Sequence, residues 1–335
     1  MMAATNRYLV TGARGQDGLI LLSKLAAAGH EVLGVVRKQA DADFVKLYEP
    51  KAKVICLDLL DKVAVTKMLE EYSPTHIFNL AAESSVGQSW EYASRALENN
   101  VVGLANILEN IVRLKMLDTR IYQASSSEMF GLAQQSPQDE KTPMHPRSPY
   151  GVSKVACHHL VVNYRESFGL FTASGILYNH ESPLRHKKYV TRKITSNVAA
   201  ISKGLIDSFE LGNIDVSRDW GWAPDYVDGM IAILRAPQPS DYLLASGVSN
   251  TLGKFLIEAF SNIGVTDWQK HVKSNPAFFR PAEVIGLLGD SSRARTELNW
   301  QPTVNFSQII KKMVDYDIKA IEDNLIEDSW KYFDE

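Results

Sequence analysis

Four residues have the types and the spacing of an acid–base group. Tyr150 and Lys154 lie four positions apart, so on a helix both side chains project from one face, one turn apart. A lysine cation can lower the pKa of a neighbouring tyrosine, and a tyrosinate can take the proton of a hydroxyl group while hydride leaves the same carbon. Ser126 can hydrogen-bond the same oxygen, and Glu128 adds a carboxylate. The pattern predicts catalysis of hydride transfer, with a further proton transfer at Glu128.

A repeated alternation of strands and helices must position these four residues. Short apolar segments alternate with segments of 3.6-residue apolar spacing, which predicts a parallel sheet with helices on both faces. Ser126 and Glu128 then follow the fifth strand, and Tyr150 and Lys154 lie in a long helix. The predicted strands are residues 7–11, 31–36, 53–57, 76–80, 120–124 and 172–177, and long helices are predicted over residues 92–114 and 149–168.

The pattern changes after about residue 177, where prolines punctuate the chain and the helices are isolated. The predicted strands here are short, at residues 209–211 and 242–245, and an apolar stripe predicts a packed helix over residues 306–321. We therefore expect an α/β fold, a Rossmann-like doubly wound parallel sheet with a smaller C-terminal α/β lobe. Residues 1–178 form the first domain, to which some later segments return, and residues 179–335 form mainly the second.

A glycine-rich loop follows the first predicted strand and opens the first helix. Its sequence, Thr11-Gly12-Ala13-Arg14-Gly15-Gln16-Asp17-Gly18, has the spacing G-x-x-G-x-x-G. The first glycine permits a tight turn, the second lets backbone N–H groups approach a pyrophosphate, and the third allows close helix–strand packing. In the first strand–turn–helix of such an array, this pattern predicts a bound dinucleotide.

The end of the second strand distinguishes between the two nicotinamide dinucleotides. An acidic residue there would accept a hydrogen bond from a ribose 2′-hydroxyl group, but the chain has Val36-Arg37-Lys38. Because a 2′-phosphate needs cations, the sequence favours NADP as the cofactor. Asp58, after the third strand, suits the adenine amino group, and residues 79–82, after the fourth, would line the inner edge of the cofactor.

The composition of the chain limits which binding partners and which cellular compartment can be expected. The chain has 335 residues, 45% apolar and 22% charged, and its net charge of −3 argues against nucleic acid or an anionic membrane as the main partner. No apolar run approaches the roughly 20 residues of a membrane span, and the first residues show no signal-peptide pattern. Cys56 and Cys157 lie in apolar patterns and are predicted to be inert core thiols of a cytoplasmic protein. The adjacent His158 and His159 lack metal-site spacing, so no metal is expected.

Longer strings of residues carry a resemblance to a known family. The glycine loop, Ser126 and the Tyr150/Lys154 pair look like those of the extended short-chain dehydrogenases/reductases. Over nearly its full length the chain is similar to the GDP-mannose 4,6-dehydratase family. The matching stretches are residues 15–18, 122–125, 127–131, 146–151, 179–183, 190–193, 211–213, 218–221 and 279–281.

The resemblance implies a three-step reaction on a GDP-linked sugar. Tyr150 and hydride transfer to NADP⁺ would oxidise the C4 hydroxyl group to a ketone, with Ser126 and Lys154 assisting. The ketone acidifies the C5 proton, which Glu128 would abstract as water leaves from C6. The stored hydride would then return to C6, and the product would be GDP-4-keto-6-deoxymannose.

The resemblance also implies which positions contact the two ligands. Arginine suits a diphosphate because its planar fork bonds two oxygens at once. The cofactor would contact Gly12, Gly15, Gln16, Asp17, Gly18, Arg37, Asp58, Leu59, Leu80, Ala81, Ala82, Ser84, Tyr150, Lys154, His180 and Arg185. The sugar nucleotide would contact Ser85, Glu128, Asn179, Val190, Lys193, Leu211, Gly212, Arg218, Arg280 and Glu283.

Several positions depart from the family's usual pattern. Ser126 stands where threonine is usual, and Glu83-Ser84-Ser85 stands where Gln-Ser-His or a close relative is common. Val216-Ser217 replaces Ala-Lys, and the short acidic segment 40–43 replaces an arginine- and serine-rich loop that joins tetramer contacts in relatives. A GDP-linked heptose therefore stays open as the substrate, and a nucleotide-sugar 4-epimerase or 4-ketoreductase as the activity. A non-catalytic NADP sensor is disfavoured because both Tyr150 and Lys154 are kept. The apolar long helices predict at least a dimer, either a homodimer or a homotetramer.

Overall fold

The computed structural model describes residues 6–279 and 282–324, which fold around a large parallel sheet. Residues 7–177 supply six of its strands, and a later segment supplies the seventh. The strands are β1 (Arg7–Thr11), β2 (Glu31–Val36), β3 (Lys53–Cys56), β4 (His76–Asn79), β5 (Arg120–Ser126), β6 (Thr172–Leu177) and β10 (Tyr242–Leu244).

The order of these strands places a ligand crevice near the middle of the sheet. The order is β10-β6-β5-β4-β1-β2-β3, and every neighbouring pair is parallel. The chain runs from β1 outward to β3 and then crosses back to β4, so the direction of winding reverses between β1 and β4. Open α/β sheets bind their ligands outside the carboxyl ends of the strands at such a switch point.

Helices cover both faces of the sheet. Alternate residues of one strand serve the two faces, as a pleated strand requires: Tyr8 and Val10 pack in one core, and Leu9 packs in the other. The helices are α1 (Gln16–Ala27), α2 (Gln39–Tyr48), α3 (Lys62–Tyr72), α4 (Ala93–Leu97), α5 (Gly103–Arg113), α6 (Pro149–Phe168), α7 (Val190–Ser202), α8 (Ala223–Arg235), α9 (Leu252–Ser261), α10 (Ser292–Leu298) and α11 (Phe306–Glu322). Helices α1 and α8 close most of the first core, and α3, α5 and α6 close most of the second.

A second lobe begins directly at the carboxyl edge of the large sheet. After β6 only Tyr178 intervenes before the next strand, so this lobe lies against the edge where the site residues are expected. Its strands are β7 (Asn179–Glu181), β8 (Phe209–Leu211), β9 (Ser217–Trp222), β11 (Ser249–Thr251) and β12 (Val272–Ser274). They form two small sheets, in the orders β11-β9-β7 and β12-β8. Helices α7, α9 and α11 enclose a third apolar core there, around Trp220 and Phe255.

The predicted elements agree with the structure to within a few residues. The first, second and sixth strands have the predicted bounds, and the third and fourth end one residue earlier. The fifth runs two residues further, so Ser126 is its last residue rather than the start of the following turn. The segment predicted at residues 242–245 ends at Leu244 and pairs with β6. The predicted C-terminal helix is confirmed and ends at Glu322.

One predicted helix is wrong in its interior. Residues 92–114 were expected to form a single α-helix, but a π-helical turn over Glu98–Val102 separates α4 from α5. Asn100 lies in this turn, where its side chain donates to Ser153 Oγ at 2.8 Å and accepts from the Glu83 amide at 2.8 Å. The extra residue in the turn is accommodated by these side-chain bonds, and such π turns are frequent at functional sites.

The two cysteines differ in their surroundings. Cys157 is buried, but Cys56 is exposed, so the prediction of two core thiols is wrong for Cys56. The physical reason is that β3 is the edge strand of the sheet, where apolar alternation does not guarantee cover on both faces. Within residues 6–279 and 282–324, no helix combines the length and apolar character needed to cross a bilayer. The same residues contain no cluster of three or more His, Cys, Asp or Glu side chains that could hold a metal ion.

Candidate active site

The glycine loop joins β1 to α1 at the switch point. Gly12 has φ +69°, and a Cβ added there would lie 2.8 Å from the Ala81 nitrogen, so the loop packs against the chain leaving β4. A Cβ at Gly18 would lie 2.5 Å from the Gly12 oxygen, so α1 can start this close only with glycine. Gly15 is the N-cap of α1 and offers no side-chain acceptor to its first turn. An anion such as a pyrophosphate fits a helix N-terminus of this kind.

A chain of buried hydrogen bonds fixes the ends of three neighbouring strands. Thr11 Oγ1 donates to Asn79 Oδ1 at 2.6 Å, and Asn79 Nδ2 donates to Gln123 Oε1 at 2.7 Å. The Ala81 amide donates to Thr11 Oγ1 at 3.2 Å. These bonds tie β1, β4 and β5 together, and they hold the segment 80–82, predicted to contact the cofactor, directly beside the glycine loop.

The first turn of α6 carries Tyr150 to the end of β5. Ser148 caps the helix by accepting a hydrogen bond from the Gly151 amide at 3.0 Å, with Pro149 in its first turn. A Cβ added at Gly151 would lie only 2.8 Å from the Glu128 carbonyl oxygen, so the helix packs directly on that peptide. The Glu128 amide donates in turn to Ser126 Oγ at 3.2 Å. Ser126, Glu128 and Tyr150 are therefore brought together by backbone contacts, as their spacing after the fifth strand predicted.

Lys154 lies one turn further along α6 and is buried. Its Nζ donates to the Ala124 carbonyl at 2.7 Å and lies 5.7 Å from the centre of the Tyr150 ring. Burial lowers the pKa of Lys154, although the neighbouring Cys157 and Asp17 act in the opposite direction. The ammonium group is thus aimed at the strand end between the tyrosine and the glycine loop.

The pKa of Tyr150 is raised, and Lys154 is not among the main causes of the shift. Burial of the phenol is the largest cause, and the hydrogen bond with Ser126 lowers the pKa by less than burial raises it. The charge of Glu128 adds to the increase, whereas that of Arg185 opposes it. The ammonium of Lys154 is engaged by a carbonyl oxygen, and the desolvation of a phenolate outweighs what remains of its attraction.

His180 lies in β7 and faces the start of α1. Its Nε2 lies 2.9 Å from Asp17 Oδ2 and its Nδ1 lies 2.7 Å from the Tyr178 carbonyl oxygen. The ring stacks on Tyr226 of α8, with the centroids 4.7 Å apart and the planes at 17°. Gln16 adds two bonds between the same segments, donating to the His180 carbonyl at 3.1 Å and accepting from Ser182 Oγ at 2.7 Å.

A line of polar contacts crosses the cleft beside Tyr150. Arg185 Nε lies 3.4 Å from Glu181 Oε2, and its guanidinium stacks 3.8 Å from the centre of the Tyr189 ring. Tyr189 Oη lies 2.6 Å from Ser84 Oγ, which belongs to the segment after β4. Burial raises the pKa of Glu181, and Arg185 and Thr191 only partly offset this. The contacts connect the segment before α7 with the cofactor side of the cleft.

Arg37, the basic residue after β2, lies close to Glu83, a position where the chain departs from the family's usual sequence. Arg37 Nη2 lies 3.4 Å from Glu83 Oε1, and Arg95 Nη2 lies 3.6 Å from Glu83 Oε2. Asn99 also donates to Glu83 Oε1, at 3.3 Å. Since β1 lies between β2 and β4, the Arg37–Glu83 pair spans the crevice above the glycine loop. Asp58, predicted to contact the adenine, accepts from the Leu60 amide at 3.0 Å and follows β3 on the same edge.

A second group of predicted residues lies in the smaller lobe. Lys193 Nζ lies 4.2 Å from the centre of the Phe278 ring, and a Cβ at Gly212 would lie 2.8 Å from the Phe278 carbonyl oxygen. Arg218 is buried, donates to the Val284 carbonyl at 2.8 Å and lies 3.7 Å from Glu283 Oε1. The other predicted substrate positions are at the β7 start (Asn179), the α7 start (Val190), the end of β8 (Leu211) and after β4 (Ser85), while Arg280 lies outside the described residues.

Several residues of the site had no signal in the sequence. Tyr189 immediately precedes α7, and Phe278 ends a short 3₁₀ helix (Pro276–Phe278). Neither belongs to a motif, and both reach the site only through contacts across the fold. Ser89 is buried and accepts a hydrogen bond from the Tyr150 amide at 3.2 Å. Asn100 stands in the π turn, which no periodicity predicts. Their common feature is that each supports a residue far away in the chain.

A Rossmann-like sheet that presents Ser126, Tyr150 and Lys154 at its carboxyl edge, beside a glycine loop, defines an extended short-chain dehydrogenase/reductase. Solved structures agree on the fold. That of dTDP-glucose 4,6-dehydratase from Bacillus anthracis, in complex with NAD, matches with a TM-score of 0.82 at 18% identity, covering 95% of this chain and 98% of the other. That of RMD from Pseudomonas aeruginosa, complexed with NADPH, matches with a TM-score of 0.79 at 21% identity, covering 94% and 100%.

The sequence comparison is more specific. The profile of the family described as GDP-mannose 4,6 dehydratase matches residues 9–313. GDP-mannose 4,6 dehydratase 1 of Arabidopsis thaliana is 42% identical over 325 residues, covering 93% of this chain and 89% of that protein. The chain belongs to the GDP-mannose 4,6-dehydratase family.

Proposed function

We propose that this chain is an NADP-dependent GDP-mannose 4,6-dehydratase, producing GDP-4-keto-6-deoxymannose for deoxysugar biosynthesis. The observation that carries the proposal is the position of Glu128. Its peptide packs against the first turn of α6 at Gly151. Burial of the phenol is the main cause of the raised pKa of Tyr150, and the charge of Glu128 adds to the increase. A second acid–base group beside the phenol is needed for removal of water, whereas a 4-epimerase or a ketoreductase needs none.

The roles of the four residues follow from their positions. Tyr150 takes the proton of the sugar C4 hydroxyl group, and Ser126, hydrogen-bonded to the phenol, holds the same oxygen. Glu128 removes the C5 proton once C4 is a ketone and gives it to the C6 hydroxyl group, which leaves as water. Tyr150 then returns its proton to C5 as C6 is reduced. Lys154, buried beneath the strand end, holds the ribose next to the reacting ring. A nicotinamide held by these residues would supply a reversible hydride acceptor, so the reaction would consume no external oxidant.

NADP is favoured over NAD by the residues after β2. Arg37 is half exposed, so its guanidinium is accessible to a 2′-phosphate. Its pair with Glu83 does not prevent this, because an exposed ion pair contributes at most about 1 kcal/mol and a phosphate dianion is the stronger partner. The glycine loop and the first turn of α1 fit the pyrophosphate, as described above. The related structures with NADPH and NAD support a dinucleotide in this crevice.

The sugar nucleotide is proposed to extend from Tyr150 into the smaller lobe. Asn179 stands at the junction of β6 and β7, between the catalytic residues and this lobe. Lys193 and Arg218 supply cations for the diphosphate, and Phe278 supplies an aromatic face beside Lys193. Desolvation lowers the pKa of Lys193, which Glu210 partly offsets. An anionic diphosphate next to this amine would favour its charged form.

The test is incubation of the purified protein with GDP-mannose and no added cofactor. We expect mass spectrometry to show loss of one water per sugar, with deuterium placed at C4 reappearing in the C6 methyl group. A panel of GDP-hexoses and GDP-heptoses run in parallel identifies the sugar. Conversion of a heptose but not of mannose, or a product epimerised at C4 without loss of water, would contradict the proposed activity.

The quaternary structure is proposed from the exposed apolar side chains on neighbouring helices. Leu97, Val102 and Val152, from the segment 93–102 and from α6, are all exposed. A second copy of the chain packing on these helices would form a homodimer, and two dimers a homotetramer. Light scattering that shows a monomer at micromolar concentration would exclude both. A cytoplasmic location is proposed with it, in keeping with the two unpaired thiols.

A further inference from the structure

The first turn of α1 contains a carboxylate where the proposed cofactor places a pyrophosphate. Asp17 follows Gly15 and Gln16 in the glycine loop and lies in the first turn of the helix. An acidic residue there interacts favourably with the helix dipole, but it carries the same sign of charge as a bound diphosphate. Binding of an anion at this turn therefore requires that the charge of Asp17 be neutralised locally.

His180 is placed to neutralise it. One ring nitrogen lies 2.9 Å from the Asp17 carboxylate and the other lies 2.7 Å from the Tyr178 carbonyl oxygen. A carbonyl oxygen and an ionised carboxylate only accept hydrogen bonds, so both ring nitrogens must carry hydrogen, which makes the ring an imidazolium. Gln16 Nε2 donates to the other Asp17 oxygen at 3.2 Å, which favours the ionised carboxylate over a protonated one.

Among the charged groups near Asp17, His180 is the main counter-ion of its carboxylate. Burial alone would raise the pKa of Asp17, but attraction to and a hydrogen bond with His180 make the net shift downward. Burial alone would lower the pKa of His180, and the same two interactions make its net shift upward. Arg185 also faces the pair, but its guanidinium is shared with Glu181 and the Tyr189 ring.

The remaining neighbours of the ring are a neutral phenol, a lysine already hydrogen-bonded elsewhere and a carboxylate that Arg185 also faces. On α8 the stacked partner is Tyr226, whose pKa is raised well above its ordinary value, so it stays neutral. On α6 the nearest cation acting on Asp17 is Lys154, which is hydrogen-bonded to the Ala124 carbonyl. Glu181, next in the chain, has a raised pKa because of its burial.

We propose that Asp17 and His180 are a pair of positioning residues, in which the imidazolium cancels the carboxylate so that the first turn of α1 can hold the diphosphate of the dinucleotide. The pair also crosses from the glycine loop to β7, next to Asn179, and so fixes the cofactor loop relative to the sugar segment. This inference rests on the proposed dinucleotide, but not on the choice between NADP and NAD or on the identity of the sugar.

The test compares four proteins: the wild type, His180→Gln, Asp17→Asn and the double variant. The dissociation constants of NADPH and NADH are measured from the fluorescence of the reduced nicotinamide. We expect His180→Gln to weaken both by about tenfold, the effect of one like charge roughly 10 Å away at an effective dielectric of about 20. Adding Asp17→Asn should restore affinity to within about threefold of wild type. Unchanged affinity in His180→Gln, or no recovery in the double variant, would overturn the proposal.

A second measurement needs no variant. Histidine-selective ¹⁵N NMR of the wild-type protein, at neutral pH and thus above the ordinary histidine pKa, should show both His180 nitrogens protonated. A neutral ring with one protonated nitrogen would overturn the proposal even if the variants failed to fold. Neither measurement uses GDP-mannose. A protein that is inactive on that sugar would therefore contradict the proposed function, whereas the role of the Asp17–His180 pair would still be decided by the affinity and NMR measurements.

Discussion

The contact between α6 and the Glu128 peptide offers a direct test of how the site is assembled. Gly151 allows this contact, because a Cβ added there would lie 2.8 Å from the Glu128 carbonyl oxygen and 3.0 Å from Pro146 Cβ. The substitution Gly151→Ala adds that single atom and removes no functional group. Neither the Glu128 peptide nor the proline can rotate away as the end of a flexible side chain could, so the helix itself must move.

The size of the movement follows from the distances. Ordinary contacts begin at 3.4 Å, so relieving a 2.8 Å contact needs a shift of about 0.6 Å, the difference between the two. Overpacking of this kind costs about 1–3 kcal/mol, and alanine in place of a helical glycine regains about 1 kcal/mol. We expect a net loss of stability of about 0–2 kcal/mol. Activity should fall more steeply, by about 10- to 100-fold in kcat, because sub-ångström displacement separates Tyr150 from Glu128.

The assay measures kcat and KM with GDP-mannose, cofactor affinity and urea unfolding on the same preparations. Cofactor affinity should fall by less than kcat, since the glycine loop is untouched and only the contacts of Tyr150 and Lys154 move with α6. The matched control is Gly253→Ala in α9, where the nearest atom to an added Cβ lies at an ordinary 3.7 Å. We expect that variant to keep full activity and to gain up to about 1 kcal/mol of stability. A Gly151→Ala protein with kcat within twofold of wild type would refute the idea that this contact sets the geometry.

Three further predictions test other parts of the site. The Glu128→Gln variant should transfer hydride from added GDP-mannose to the bound cofactor but release no water, so the absorbance of the reduced nicotinamide should increase and persist. Normal dehydration by this variant would show that Glu128 does not have the proposed role. Arg37→Met should weaken NADPH binding by about tenfold or more and NADH binding by less than about twofold, and an equal loss for both would show that Arg37 does not read the 2′-phosphate. For the His180–Asp17 pair, the raised pKa of His180 contributes stability that is complete below about pH 6.5 and is lost as pH rises through its folded value. The lowered pKa of Asp17 contributes stability that is complete above about pH 3.9 and is lost as pH falls through its folded value. Urea unfolding of His180→Gln should therefore lack the alkaline decline that wild type shows.

The sequence was most informative where a function depends on local backbone geometry. The glycine loop could be read directly, because Gly12 adopts a positive φ in the turn and Gly18 is required by contacts within a single strand–turn–helix. The bounds of the parallel strands followed from apolar runs, since strands covered on both faces are continuously hydrophobic. At the edge strand this rule fails, and Cys56 is exposed although its neighbours are apolar. The π turn at Asn100 could not be predicted, because it changes the hydrogen-bond ladder without changing residue types.

Contacts between distant parts of the chain were the other source of error. Tyr189 meets Ser84 across 105 positions, and no local pattern marks either end of such a contact. The departure at Glu83 could be found from the sequence, but not its effect. In the structure this carboxylate lies among Arg37, Arg95 and Asn99. A position in the chain identifies a charge, but only the fold shows which partners it has.

The raised pKa of Tyr150 has a mechanistic consequence. Desolvation is the largest cause of the shift, and Lys154, whose Nζ lies 5.7 Å from the centre of the ring, donates to the Ala124 carbonyl. The buried tyrosine therefore keeps its proton at neutral pH, and its phenolate form is scarce. Additional positive charge within the cleft is required before the phenolate becomes accessible, and the sugar nucleotide, being anionic, cannot supply it. The oxidised nicotinamide is the one proposed ligand that would bring positive charge, so a lowered pKa of Tyr150 and hydride acceptance would arrive together, and proton removal from the sugar would be confined to complexes able to complete the oxidation.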